Sequence, residues 1–148
     1  MSERIDYEQI LAEIDVAWQL FLKSFEGLID GDLSDPTAVG YWSVGDLWFH
    51  IAYCDEEAAG DAQYRHDHDG AEPPHRDWDE VNEREYLKQK GRTPEEGLEL
   101  MIHAHQAMLD AFETLREDDL TWTVYELAGH YEGHTGDIRH WRDSRNNS

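Results

Sequence analysis

The chain has 148 residues and a formal net charge of −22, because 34 Asp and Glu outnumber 12 Lys and Arg. Since 39% of the residues are hydrophobic, the composition fits a folded domain with its own core rather than a disordered acidic segment. A surface this negative repels phosphates and anionic lipid headgroups, so neither nucleic acid nor a membrane is an expected partner.

Cellular location is predicted from three features of the sequence. No apolar run approaches the ~20 residues of a membrane-spanning helix, and the first residues lack a signal-peptide pattern. Cys54 is the only cysteine, which excludes an internal disulfide and suits a reducing compartment. We therefore expect a cytoplasmic protein. The acidity leaves two interpretations open, a surface adapted to high salt and an ordinary acidic protein.

Four stretches have apolar residues at steps of three and four, which is typical of amphipathic helices. The first is predicted from about Tyr7 to Leu28, and the second from Ser43 to about Tyr64. The third begins at the capping box Thr93–Glu96, with Pro94 at the first helical position, and the fourth begins at the capping box Thr123–Glu126. Their predicted apolar stripes contain Ile10, Ile14, Trp18, Phe21 and Phe25; Leu47, Ile51, Cys54 and Ala58; Leu98, Ile102, Leu109 and Phe112; and Leu127, Ile138 and Trp141.

The predicted connection between the second and third helices is long. A polar, turn-rich loop from His66 to His75 precedes a short predicted helix from Trp78 to Lys90, and a polar end is predicted to fray from Asp143 to Ser148. The other two connections are short, which favours antiparallel neighbours. Because no strand-like alternation is found, we expect an all-α fold: one domain over residues 1–148, a four-helix bundle with a long crossover between helices 2 and 3.

Three histidines on the predicted inward faces form the candidate metal site. His130 and His134 are one helical turn apart, so both rings can reach one ion without bending the backbone. His50 lies one turn from Leu47 and from Cys54, so it is expected to project into the same bundle. Three neutral imidazoles leave open positions on a transition metal, and burying them without any partner would be costly.

The remaining histidines and the cysteine have other interpretations. His105 is on an inward stripe, where it could be a proton shuttle, a hydrogen-bonded core residue or, less favoured, a fourth ligand. Cys54 could face the site, but a buried apolar filler is the commoner role of a free cysteine. Trp42, Trp48 and Tyr41 are expected to wall the pocket. The histidines predicted to be exposed are His66, His68, His75, His103 and His140.

Two stretches resemble segments of the DinB/YfiT-like superfamily. Residues 40–52, Gly-Tyr-Trp-Ser-Val-Gly-Asp-Leu-Trp-Phe-His-Ile-Ala, are similar to its Trp-Ser-x-x-Asp/Glu-Leu-x-x-His-Leu segment. Residues 130–141 are similar to its His-x-x-x-His on the last helix. The segment Asp79–Asn82 and the third-helix run ending His-Gln-Ala-Met-Leu most resemble the ClbS/DfsB-type branch.

This resemblance implies a four-helix bundle with a long crossover, often dimeric, and a divalent metal, usually zinc or nickel, on three histidines. Matched to this sequence, those histidines are His50, His130 and His134. Characterised relatives are transferases that use bacillithiol or mycothiol, or hydrolases of reactive small molecules. The resemblance therefore implies a metal-dependent enzyme acting on a small, toxic molecule, with a low-molecular-weight thiol as a candidate cofactor. The alternatives are a non-catalytic small-molecule binding or sequestration protein and an oligomeric scaffold.

Overall fold

The computed structural model describes residues 6–146, except for the side chains at positions 122 and 125, and its regular structure is helical. Six helices occur in this range: α1 Tyr7–Ser24, α2 Asp30–Leu33, α3 Val44–Asp67, α4 Trp78–Gln89, α5 Pro94–Thr114 and α6 Thr121–Asn146. The all-α prediction is confirmed. The four-helix bundle and its crossover stay predictions, because six helices are counted.

Local sequence signals fix several helix ends. Thr93 caps α5 by accepting a hydrogen bond from the Glu96 N–H at 3.2 Å, and Pro94 is its first residue, as predicted. The predicted short helix α4 ends at Gln89. Two residues later, Gly91 has a φ of +91°, in the left-handed region that glycine adopts more readily than other residues.

Four predicted boundaries are wrong by two to four residues. Helix α1 ends at Ser24 rather than Leu28, because the chain turns through Gly27 at a φ of +79°. Helix α3 continues to Asp67, so His66 lies in its last turn and not in a loop. Helix α6 begins at Thr121, before the predicted capping box, and the predicted frayed end is helical through Asn146. The last two positions of that predicted end, 147 and 148, lie outside the described residues.

The chain divides into two compact units. The first extends up to Val44 and resumes at Asp119, and the second is Gly45–Asp118. The single domain over residues 1–148 therefore stays a prediction. Among the described residues, no helix is both long enough and apolar enough to cross a membrane.

In the first unit, α1 packs along α6 around the side chain of Tyr131. This tyrosine is fully buried, with its ring centroid 5.2 Å from that of Trp18 and 6.1 Å from that of Phe21. Arg142 Nη1 donates to the carbonyls of Ser24 at 3.0 Å and Glu26 at 2.8 Å, which satisfies acceptors at the end of α1. These contacts fix which face of α6 is buried.

In the second unit, the buried face of α5 differs from the prediction by about one residue. Ile102, predicted to be inward, is 48% exposed, whereas His105 and Phe112 are buried as predicted. The rest of the core side is formed by Gly97, Met101, Ala104 and Met108. A Cβ at Gly97 would lie 2.9 Å from the ring of Phe49 and 3.2 Å from the carbonyl oxygen of Gly45. Close contact with α3 at this glycine therefore sets the rotation of α5.

We predict opposite effects for two glycine-to-alanine changes in the second unit. Gly97→Ala should lower the free energy of unfolding by about 1–2 kcal/mol, because the new methyl overlaps the Phe49 ring. Gly60→Ala, with no atom within 4 Å of the added Cβ, should raise it by about 0.5–1 kcal/mol through helix propensity. Urea denaturation measures both values, and equal stabilisation by the two changes would contradict the close contact.

Candidate metal centre

His130 and His134 form a close imidazole pair on α6. Their Nε2 atoms are 3.0 Å apart, and the rings meet edge to face with centroids 4.5 Å apart. Both residues are half-buried and flank the buried Tyr131. Two nitrogen ligands of one tetrahedral zinc ion lie about 3.3 Å apart, given Zn–N distances of about 2.0–2.1 Å. The separation of the pair is therefore close to that expected for two ligands of one ion.

The carboxylate of Asp137 orients the His134 ring. Its Oδ2 lies 3.1 Å from Nδ1 of His134. When Nδ1 carries the proton and donates it to this oxygen, Nε2 keeps its lone pair toward His130. Burial lowers the pKa of His134, and the nearby Asp137 charge opposes that shift only in part. The ring therefore stays neutral to a lower pH than an exposed histidine, and a neutral ring can bind a metal.

A second pair of candidate ligands lies on α3. Sγ of Cys54 is 3.8 Å from Nδ1 and 3.7 Å from Nε2 of His50. Burial, and then the charges of Asp55 and Glu57, raise the pKa of the Cys54 thiol to about 12. Without a metal, Cys54 is therefore a neutral thiol, and metal binding there would release its proton. Sequence reasoning favoured a filler role for this residue, although its i+4 spacing from His50 was a usable signal.

Each unit contains one close pair of candidate ligands, His130 and His134 in the first unit and His50 and Cys54 in the second. Imidazoles and a thiol are donors that zinc and other divalent transition metals prefer, so the residues present fit such an ion. The ligand set of His50, His130 and His134 stays a prediction.

His105 lies beside a buried carboxylate that sequence reasoning did not single out. The residue is 7% exposed, and its Nδ1 is 4.0 Å from Oδ2 of the fully buried Asp55. Asp55 directly follows Cys54 and is one turn from Ile51, so its place on the apolar stripe was visible in the sequence. The proton-shuttle role of His105 stays a prediction.

Two of the histidines predicted to be exposed contact other side chains. His66 Nδ1 is 2.7 Å from Oδ2 of Asp118, which lies in the segment after α5. The ring of His68 stacks on that of Tyr64, with centroids 3.8 Å apart. His75, His103 and His140 are exposed, as predicted.

A cleft with a volume of about 760 Å³ lies in the first unit beside His134. It is bounded by the 37–42 segment and by the second half of α6. Of the aromatic residues predicted to wall a pocket, Trp42 lines this cleft, Tyr41 is 95% exposed and Trp48 is buried within the second unit. Trp141, which was predicted only as a core residue, also lines it.

The chain matches the sequence profile of the DinB superfamily over residues 13–140. The chain belongs to the DinB superfamily. No match is found among curated proteins or among solved structures. The resemblance to the superfamily is confirmed, and the assignment to its ClbS/DfsB-type branch stays a prediction.

We predict that Asp137→Asn will lower the pKa of His134 further, because the carboxylate opposes the effect of burial. Titration of the ring protons by NMR, in metal-free protein, measures this change. Asp143→Asn, at an exposed position on the same helix, is the matched control and should leave the pKa of His134 unchanged. An unchanged or higher pKa in Asp137→Asn would contradict the assigned contact.

The lowered pKa of His134 also makes the stability of the protein depend on pH. Because this pKa is lower in the folded protein than in the unfolded chain, the contribution of the neutral ring to the free energy of unfolding is present above the unfolded pKa of about 6.5. The contribution is lost as the pH falls through the folded pKa. The difference in free energy of unfolding between the wild type and His134→Gln should therefore shrink on acidification through this window.

Proposed function

We propose that the protein is a metal-dependent enzyme that transfers a low-molecular-weight thiol to a small, toxic molecule or hydrolyses that molecule. The observation that carries this proposal is the close pair of His130 and His134, whose Nε2 atoms lie 3.0 Å apart. Membership of the DinB superfamily supports it. A cytoplasmic location and a homodimer belong to the same proposal.

Zinc or nickel is the proposed metal, because both bind imidazole and thiolate. His50 and His130 are common to the two proposed ligand sets, and the third donor is His134 in one set and Cys54 in the other. When bound, such a cation would lower the pKa of a water or substrate thiol at its open position, and so supply a nucleophile at neutral pH. Either set of three ligands leaves that position open.

The protein's own residues prepare the site in two ways. Asp137 holds the His134 ring in one orientation, and burial keeps this ring neutral. Cys54 is a protonated thiol in the absence of metal, so no negative charge has to be buried there before a cation arrives. Near the same stretch of α3, the Asp55 carboxylate faces His105 and is proposed to position it for proton transfer.

We predict that the wild-type protein, purified without chelators, contains about one divalent metal ion per chain. His130→Ala should reduce this content to near zero, because His130 belongs to both proposed ligand sets. The matched control is His103→Ala, an exposed position on α5, which should retain the wild-type content. Mass spectrometry of the metal provides the measurement, and near-zero metal in the wild type and in His130→Ala alike would end the proposal.

A cobalt(II)-substituted sample distinguishes the two ligand sets. We expect a sulfur-to-metal charge-transfer band in the near ultraviolet, because Sγ of Cys54 lies 3.7 Å from Nε2 of His50, a ligand in both proposed sets. This band should disappear in Cys54→Ser and persist in His134→Gln. Absence of the band in a cobalt-loaded wild type would instead favour the three-histidine set.

The cleft of the first unit favours a second candidate function, non-catalytic binding or sequestration of a small molecule. Its volume of about 760 Å³ suits a small-molecule ligand, and a pocket of this size can hold a ligand without catalysing a reaction. Turnover separates the two functions. An enzyme forms product and loses activity with a chelator, whereas a sequestration protein is stabilised by its ligand with no product and with no effect of the chelator.

A further inference from the structure

One wall of the first unit's cleft is a tight turn held in place by its own hydrogen bonds. Val39 and Trp42 exchange two backbone hydrogen bonds of 2.9 Å, and Gly40 makes the turn possible with a φ of +63°. Just before it, the Asp35 carboxylate accepts from the N–H and the hydroxyl of Thr37 at 2.9 and 2.7 Å. A wall fixed in this way loses little conformational freedom when a ligand binds.

The opposite wall is the second half of α6, which is anchored at its end by Arg145. Nη2 of Arg145 donates to Oδ1 of Asp32 at 2.6 Å, and the guanidinium lies 4.7 Å from the centroid of Trp141. This ion pair lowers the pKa of Asp32, so the carboxylate stays ionised beside the cation. The positive charge of Arg145 is therefore already matched by Asp32, which reduces its attraction for an anionic ligand.

The polar groups of the cleft favour ligands that donate hydrogen bonds. Asp137, whose side chain is 52% exposed, presents a carboxylate among the lining residues, and His140 and Ser144 lie one and two turns further along α6. A carboxylate accepts hydrogen bonds and repels anions. The net charge of −22 acts in the same direction by making the surrounding potential negative.

We propose that this cleft binds a planar aromatic molecule that carries a hydroxyl or amino donor and no negative charge. The half-buried indole ring of Trp42 supplies a flat surface for an aromatic ring, and the nearly buried Trp141 adds apolar lining to the cleft. The volume of about 760 Å³ lies within the range of about 300–1,000 Å³ typical of small-molecule sites. Binding of this ligand depends on the cleft alone and needs no metal.

The direct test compares two probes with the same ring system, 2-naphthol and the anionic 2-naphthoate. Isothermal titration calorimetry on chelator-treated protein should show 2-naphthol binding at least about tenfold more tightly than 2-naphthoate, because only the alcohol can donate to Asp137. Metal content is measured separately on untreated protein, so failure of the metal proposal and failure of this one remain distinguishable. Undetectable binding of 2-naphthol at millimolar concentration, or tighter binding of 2-naphthoate, would overturn the proposal.

A pair of tryptophan substitutions locates the bound probe. Ser144→Trp adds a large ring at an exposed position that lines the cleft, and should weaken 2-naphthol binding by about tenfold or more through steric exclusion. Asp143→Trp places the same ring at the neighbouring exposed position, outside the lining, and should leave affinity within about twofold. Circular dichroism confirms that both variants are folded. Equal affinities of the two folded variants would place the probe elsewhere and overturn the assignment.

Discussion

Burial of the Tyr131 ring against Trp18 and Phe21 is the contact on which the geometry of the first unit depends. A fully buried aromatic ring of this size allows one rotation of α6 about its axis, since any other would expose the ring. In that rotation, His130 and His134 flank the buried stripe and remain half-buried. At the half-buried position of His134, burial lowers the pKa and favours the neutral imidazole that can bind an ion.

Burial and charge act together on the candidate ligands. Desolvation lowers the pKa of His134 and raises the pKa of Cys54, so both groups are favoured in their neutral forms. His134 is therefore a neutral donor, whereas Cys54 has to lose its proton on ligation, which makes metal affinity depend on pH.

Two stripes of apolar residues on α5 fit the helical period almost equally well. Periodicity predicted that Ile102 on α5 is inward, but the stripe through Met101, Ala104 and Met108 has nearly the same spacing. The choice between these faces depends on Gly97, where the missing side chain admits the Phe49 ring. A contact between residues 48 positions apart in the chain is not encoded in the local pattern of either helix.

The sequence by itself determined the helical class, the capping of α5, the family and the one-turn spacing of His130 and His134, because these depend on local hydrogen bonding, periodicity and motif order. The position of Asp137, three residues after His134 on the same helix, was also visible in the sequence. Only the tertiary structure decided how deeply each candidate ligand is buried, that Asp55 faces His105 across two helices, and that the 39–42 turn and α6 enclose a cleft. Burial is a property of packed neighbours that are distant along the chain, and it controls the charge state of each ligand.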